Sequence, residues 1–504
     1  MKLLLAPRIQ DLLYLTVLLL TSYLLIFHNL GKAQIRIWDE ATYANNAIDM
    51  YEQPGNPLVI RHLGEPDLYN VKPPLVIWLQ ALNMHIWGVN EWAIRFPSAL
   101  FGLFTVLTLY GFCSHVLNNR LVGFLAGMIL LSSAGFIRNH VVRTGDLDAA
   151  LVFFSMLLLM AFWALMLTNP KNKKPYYILL AVGIVGAFLS KGIAALFFFP
   201  AMGFMAFFPL GYKPLKDFSL YGVVLLSLLG CGAYYGLREL AVPGYWPVLR
   251  DSEFIRINTE VMSWHLQAAD YYWQELKNKH FAHLFWGLPL VPLSFLFVAY
   301  RSRSFYFLVY VCFAVLGYFL LISYPPVKLS WYDAPLLPVL ALALAFSANQ
   351  IWETLWKRIS LKYPLIRKME GIYLLIPLFL IPLYAPYSKL WKDMRWAESH
   401  AQGLELEGAF LKYLAQSRPE LDSLKILKNE SYTEHYDPVL FYIRAFQHEQ
   451  KLGKIELIKA PPFSPGEWVM VAKPEDMAQI DSLYAYTLEE IWQDARLIYI
   501  EDTL

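Results

Sequence analysis

The chain has 504 residues, of which 57% are hydrophobic and only 16% charged, with a mean hydropathy of +0.40. Soluble domains usually carry about 45–50% apolar and about 25% charged residues, so the surplus apolar side chains must face lipid rather than a single core. A net charge of +2, with no Lys/Arg cluster interleaved with stacking aromatics, leaves no footprint for nucleic acid, and Cys113, Cys231 and Cys312 all fall in apolar runs, which excludes a disulfide framework or a cysteine metal site.

The first apolar run, 11–30, is followed by no small-residue cleavage site, so it is expected to stay as a span and not to be removed as a signal peptide. A membrane span needs about 17–25 predominantly apolar residues. That rule places further spans near 97–116, 121–137, 148–168, 176–190, 192–209, 218–237, 283–300, 305–323, 332–349 and 371–388, about eleven in all. The run 74–88 is shorter, opens with Pro73-Pro74, and carries Gln80, Asn83 and His85. If it lies in the membrane interface and the N-terminus is cytoplasmic, the loops 118–120, 171–174, 213–216, 301–303 and 356–368 are all short, basic and inside. If it spans, the lysine-rich loops land outside, so the in-plane reading is adopted. The segments 31–95 and 238–280 and the tail from about 389 are then external.

The tail is more highly charged, and its apolar residues come in short groups at 424–427, 455–458, 468–471 and 497–500. Helix-like stretches at 438–446 and 474–492 lie between them, the second opening with Pro474-Glu475-Asp476. Alternating strands and helices predict a small α/β domain over 391–504, following an all-α polytopic membrane domain over 1–390 that also carries interfacial helices.

Loops held on a rigid scaffold are where binding and catalysis concentrate. The first external loop opens with Trp38-Asp39-Glu40, and the spacing of Tyr43, Ala47 and Met50 puts Asp39 at a helix start. Free backbone N–H groups there hold a carboxylate ionised and fixed, as a general base requires; a pair of plainly solvated acids is the bland alternative. Lys72, before Pro73-Pro74, sits at headgroup depth and can pair with a lipid phosphate, or simply snorkel. The turn Arg143-Thr144-Gly145-Asp146-Leu147-Asp148 offers an Arg–Asp brace or a catalytic acid, and both readings stand. Lys191, in Ser190-Lys191-Gly192, and Lys328, shortly before Trp331-Tyr332, mark predicted outer ends of spans. The loop 238–280 adds Arg256, whose guanidinium suits bidentate phosphate binding, and His265, which is either a ligand for a divalent metal or a packed imidazole.

Taken in order, Trp38-Asp39-Glu40-Ala41-x-Tyr43, Lys72-Pro73-Pro74-Leu75, the Arg143 to Asp148 turn, Ser190-Lys191-Gly192 and Lys328-Leu329-Ser330-Trp331-Tyr332 resemble the C-class membrane glycosyltransferases. The resemblance covers roughly residues 10–350. It is nearest to the bacterial transferases that place aminoarabinose on lipid A, with the protein O-mannosyltransferases more distant. It implies a polyprenyl-phosphate-linked sugar as donor, inverting transfer at the outer face, and an interfacial cavity roofed by the external loops. It further implies Asp39 as base, Lys72 on the donor phosphate, and Asp148 as a pocket acid. Val71 departs from the pattern, because aminoarabinose enzymes typically carry a metal-linked glutamate before the lysine. The aminoarabinose donor is therefore not carried over.

The expected chemistry follows. Lys72, with Arg256 or Lys191, stabilises the leaving lipid phosphate while Asp39 deprotonates a lipid, glycan or protein acceptor; Glu40 and Asp148 are the other expected catalytic acids, and Tyr43, Arg143, Lys328 and Tyr332 line the pocket. No Gly-rich phosphate loop or dinucleotide fingerprint accompanies them. The expected setting is a bacterial inner membrane, with the site and the tail on the periplasmic side. The competing readings are a sugar-lipid flippase, which would place ionisable groups mid-span, and a non-catalytic assembly partner in envelope glycan synthesis.

Overall fold

The computed structural model describes the chain outside residues 1–6, 69, 139, 168–172, 209, 211–212, 256–264, 364–371, 402–404, 429–435 and 450. The described residues form two compact units. One takes Met1–His28, Pro66–Val76 and Ser98–Asp393; the other takes Asn29–Glu65, Ile77–Pro97 and Met394–Leu504.

The first unit is helical. Among the described residues, seven helices of the chain are long and apolar enough to cross a membrane: Pro7–Phe27, Glu91–His115, Asp148–Leu167, Lys174–Leu196, Phe218–Ala241, Arg303–Ser323 and Leu336–Lys362. An eighth span arises if the sharply bent pair Tyr271–His280 and Ala282–Phe297 is counted as one. The polar residues of the short loops start the next helix. Asn119 Oδ1 accepts from the Val122 N–H, Asp217 Oδ1 from Ser219 and Leu220, and Ser302 Oγ from Phe305. Each satisfies a donor that a helix start leaves open.

Three expected spans differ in detail. The run 121–137 is a twelve-residue helix, Arg120–Leu131, that stops at Ser132-Ser133. The run 192–209 is a 3-10 turn, Gly192–Leu196, followed by a short helix, Phe199–Met205. The run 283–300 is broken into Ala282–Phe285, Leu290–Ser294 and Phe295–Phe297. Gly287, Pro289 and Pro292 account for that break, since proline lacks the N–H and glycine the stiffness a continuous helix needs. The ambiguous run 74–88 forms the thirteen-residue helix Leu75–Trp87. At about 1.5 Å per residue that is roughly 20 Å, too short for a hydrocarbon core of about 30 Å.

The tail carries a five-stranded sheet, with strands β1 Ser423–Leu427, β2 Lys454–Ile458, β3 Trp468–Val471, β4 Tyr484–Trp492 and β5 Ala495–Thr503 in the order β2-β1-β3-β5-β4. Strand β1 is parallel to β2 and β3, and β5 is antiparallel to β3 and β4. Leu427, Phe463, Val469, Val471, Met477, Ile480, Tyr484, Ile498 and Ile500 form one buried cluster on this sheet. The expected helix at 474–492 is half right: Pro474–Leu483 is helical, whereas Tyr484–Trp492 is β4. Tyr484-Ala485-Tyr486-Thr487-Leu488 suits a pleated, half-buried surface, and pairing along β5 overrides the helical start.

Candidate active site

In the first unit, Asp148 begins one helix and Lys191 ends the next, so an antiparallel hairpin brings them to the same end. The two helices approach closely because glycine faces the contact; a Cβ at Gly186 would lie 2.3 Å from the Phe154 ring. Lys191 Nζ then meets Asp148 Oδ1 at 2.6 Å, both side chains buried, and lies 5.2 Å from the centre of the Tyr332 ring. Gly192 closes the helix at φ 60°, a conformation that side chains rarely adopt, and a Cβ there would meet the Tyr235 hydroxyl at 2.8 Å.

Arg143 is directed elsewhere. Its Nη1 donates to the carbonyls of Leu25, Ile26 and His28, capping the end of the first span. The brace expected between Arg143 and Asp148 is therefore divided: Lys191 balances Asp148, and Arg143 serves the backbone.

Between them lies Asp146, 1% exposed, with His140 Nδ1 at 3.1 Å and the His140 ring stacked on Trp331 at 3.7 Å. Burial pushes the Asp146 carboxyl up, but the attraction of His140, the Thr144 hydroxyl and Lys191 outweighs it and holds the group below its ordinary value.

Lys72 stands on a pinned backbone. Buried Arg238 donates from Nη2 to the carbonyls of Asn70 at 2.6 Å and Asp67 at 3.2 Å, and from Nη1 to that of Lys72 at 3.2 Å. The Tyr245 hydroxyl donates to the Val71 carbonyl at 2.8 Å, and the Arg238 guanidinium lies over the Tyr245 ring. The ammonium of Lys72 is ion-paired with Glu253. Arg238, Tyr245 and Glu253 are candidate site residues that the sequence reading missed. A buried arginine near the end of an apolar run was the signal for the first, because such a cation is costly unless engaged.

Lys328 is buried, donates from Nζ to the Gln267 carbonyl at 3.2 Å, and has its ammonium pKa lowered by burial. Its own N–H bonds the His265 carbonyl at 3.0 Å, so a short antiparallel bridge sets His265 beside it. Burial likewise lowers the His265 imidazole. Arg256 lies outside the described residues. Val71 and His265 do not supply a donor set for the implied metal among the described residues. Val71 buries its side chain against Tyr245 and Leu249 and offers no ligand atom, and among the described residues His265 joins no cluster of three ligating side chains.

In the second unit, Asp39 opens the helix Asp39–Glu52, preceded by Trp38 at φ 70°. Tyr43 is buried one turn on. Glu40 is wholly buried: its carboxylate takes Arg95 Nε at 2.7 Å and Nη2 at 3.0 Å, and the Arg36 N–H at 2.7 Å. Arg95 also donates to the carbonyls of Leu30, Ala33 and Gln34. Glu40, expected among the catalytic acids, is thus engaged on both oxygens by Arg95 and the Arg36 N–H, which ties the loop before Asp39 to Arg95.

This architecture has a close solved counterpart. ArnT from Cupriavidus metallidurans, bound to undecaprenyl phosphate, superposes with a TM-score of 0.66 at 14% identity, covering 98% of each chain. Residues 71–235 match the family described as dolichyl-phosphate-mannose-protein mannosyltransferase. The chain is thereby a membrane glycosyltransferase with the fold of ArnT.

Among curated sequences, an uncharacterized protein of Aquifex aeolicus is 27% identical over 80% of this chain and 79% of its own. The undecaprenyl phosphate-alpha-4-amino-4-deoxy-L-arabinose arabinosyl transferase 2 of Proteus mirabilis is 30% identical over 41% of this chain. That match spans 37% of the Proteus protein's length.

Proposed function

We propose that the protein transfers a sugar from a polyprenyl-phosphate carrier to a hydroxyl or amine of a lipid, glycan or protein acceptor, at the periplasmic face of a bacterial inner membrane. The pinned mount of Lys72 carries the reading: Arg238 and Tyr245 fix the backbone on both sides of one ammonium, as electrostatic stabilisation of a leaving group demands. The names of the relatives, an undecaprenyl-phosphate aminoarabinosyl transferase and a dolichyl-phosphate-mannose family, support the same donor class.

The roles assigned are these. Asp39 takes the proton of the acceptor O–H or N–H as that atom attacks the anomeric carbon. The new glycosidic bond forms on the face opposite the breaking C–O bond to phosphate, so the anomeric configuration inverts. The polyprenyl phosphate leaves with the bonding electron pair, its charge met by Lys72. Lys191, balanced by Asp148, supplies a second positive group, while Lys328 and Tyr332 line the approach. Glu40 holds the loop that leads to Asp39, and Arg143 holds the end of the first span.

The test is release of free polyprenyl phosphate by purified protein given polyprenyl-phosphate sugars and a membrane extract. Asp39→Asn, which keeps the shape and loses the base, is expected to reduce release by about 100-fold or more. Full activity in that variant overturns the base assignment. Movement of intact donor between leaflets, without release, overturns the transferase reading in favour of a flippase.

A further inference from the structure

The sequence leaves the work of the C-terminal domain open between acceptor binding, bracing and docking. We infer that its helix Asp437–Glu449 is a positioning element for catalysis, holding the Asp39 helix at both ends through Asp437 and Arg444. The inference rests on the assignment of Asp39 as the base.

The contacts lie within one unit and bear on one polar face. At the leading end, Asp437 Oδ2 accepts from the Thr42 hydroxyl at 2.6 Å, three residues beyond Asp39. The Asp437 carbonyl accepts from Asn45 Nδ2 at 2.9 Å, and His62 Nε2 lies 3.2 Å from Oδ1. At the trailing end, Arg444 Nη2 reaches Asp49 Oδ1 at 2.7 Å and Glu52 Oε2 at 2.6 Å, and its Nη1 reaches the Asn45 carbonyl at 3.3 Å. His448 Nε2 is 2.6 Å from Glu52 Oε1. The helix Asp39–Glu52 buries Thr42's neighbours Ala41, Tyr43 and Ala44 as well as Asn45, Asn46 and Asp49, so most of these bonds sit in partly desolvated surroundings.

Two features separate this from ordinary domain packing. The helix carries polar or ionisable side chains at 42, 45, 46, 49 and 52, a face that apolar packing would not need. Its partners are directional: an acid meets hydroxyl and amide donors near the base, and a cation meets two carboxylates at the far end. Directional bonds fix the rotation and register of a helix, whereas apolar contact alone leaves it free to slide. A base must sit within hydrogen-bond reach of the proton it removes, so small rotations of this helix act directly on turnover.

The experiment uses the full-length protein in detergent or nanodiscs, with Thr42→Val, Asp437→Leu, the pair together, and Asp437→Asn. Release of polyprenyl phosphate gives kcat and donor KM, and melting temperature separates loss of fold. Asp437→Leu is expected to lower kcat about tenfold, with donor KM within about twofold of wild type. Thr42→Val adds little in the double variant, because both remove the same bond. Asp437→Asn, which keeps an acceptor oxygen for Thr42, restores most of the rate. Arg444→Met should lower kcat similarly, and Arg444→Lys should recover part of it.

A fall in melting temperature with kcat unchanged, additive losses in the double variant, or a rise in donor KM alone overturns the inference. The reading on which it rests fails separately. If Asp39→Asn keeps full release while Asp437→Leu loses it, the helix is held for a purpose other than placing that base.

Discussion

Arg238 Nη2 donates to the carbonyl of Asn70 at 2.6 Å across 168 residues of chain, and the presentation of Lys72 depends on that bond. Without the guanidinium, the carbonyls of Asp67, Asn70 and Lys72 lose a common donor. Arg238→Met should therefore resemble Lys72→Met, raising donor KM even though Arg238 itself is directed at backbone.

The partner of Lys72 sets a further expectation. Glu253 occupies the ammonium that the donor phosphate is proposed to take. Hydrogen bonds to charged groups contribute about 1.5–3 kcal/mol, so removing this competitor in Glu253→Gln should lower donor KM roughly 10- to 100-fold, while Lys72→Met raises it. Equal KM values in wild type and Glu253→Gln would show that the carboxylate does not compete with phosphate.

The buried pair of Glu40 and Arg95 belongs to stability. Removing one member of such a pair typically costs about 3–5 kcal/mol, because it strands the other charge. Arg95→Met should lower the melting temperature sharply. The double variant Glu40→Leu/Arg95→Met should not recover it, since the carbonyls of Leu30, Ala33 and Gln34 stay without their donor.

Lys191 and Asp148 should behave differently. Lys191→Met alone leaves the Asp148 carboxylate stranded, again at about 3–5 kcal/mol. Asp148→Leu/Lys191→Met removes both charges, so the melting temperature should largely return while sugar transfer does not. Recovery of transfer in the double variant would remove both residues from the site.

Acid should act through Asp146. Its folded pKa is depressed, so its contribution to stability is complete above about pH 4, the unfolded value. That contribution is lost as pH falls through the folded value. Melting of wild type and Asp146→Asn, followed from neutral pH downward, should show a gap that closes only in that acid window. A constant gap would place the stabilisation in something other than the ionised carboxylate.

Much of this was legible in the sequence because it follows from local rules. Apolar run length gave most of the spans, the spacing of Tyr43, Ala47 and Met50 gave the helix at Asp39, and alternating short apolar groups gave four of the five strands of the tail. The breaks near Pro289 and Pro292 were legible too, had proline been weighed against hydropathy. What could not be read was pairing over distance. Arg95 meets Glu40 across 55 residues, Glu253 meets Lys72 across 181, and Arg444 meets Asp49 across 395. No periodicity announces such partners, and adjacency misled as well: Arg143, five residues before Asp148, turns to the first span.

The second unit is assembled from three separated stretches, 29–65, 77–97 and 394–504, and that has a consequence for biogenesis. Chains emerge at about 5–20 residues per second, so the helix bearing Asp39 is made roughly 20 seconds or more before Asp437 and Arg444 exist. Until then Glu91 lacks Tyr442 and Lys412, and Asp49 lacks Arg444. On the proposed role of the Asp437–Glu449 helix, a nascent chain should reach full activity only once 394–504 have been made, and a chain stopped at 393 should be a substrate for membrane quality control.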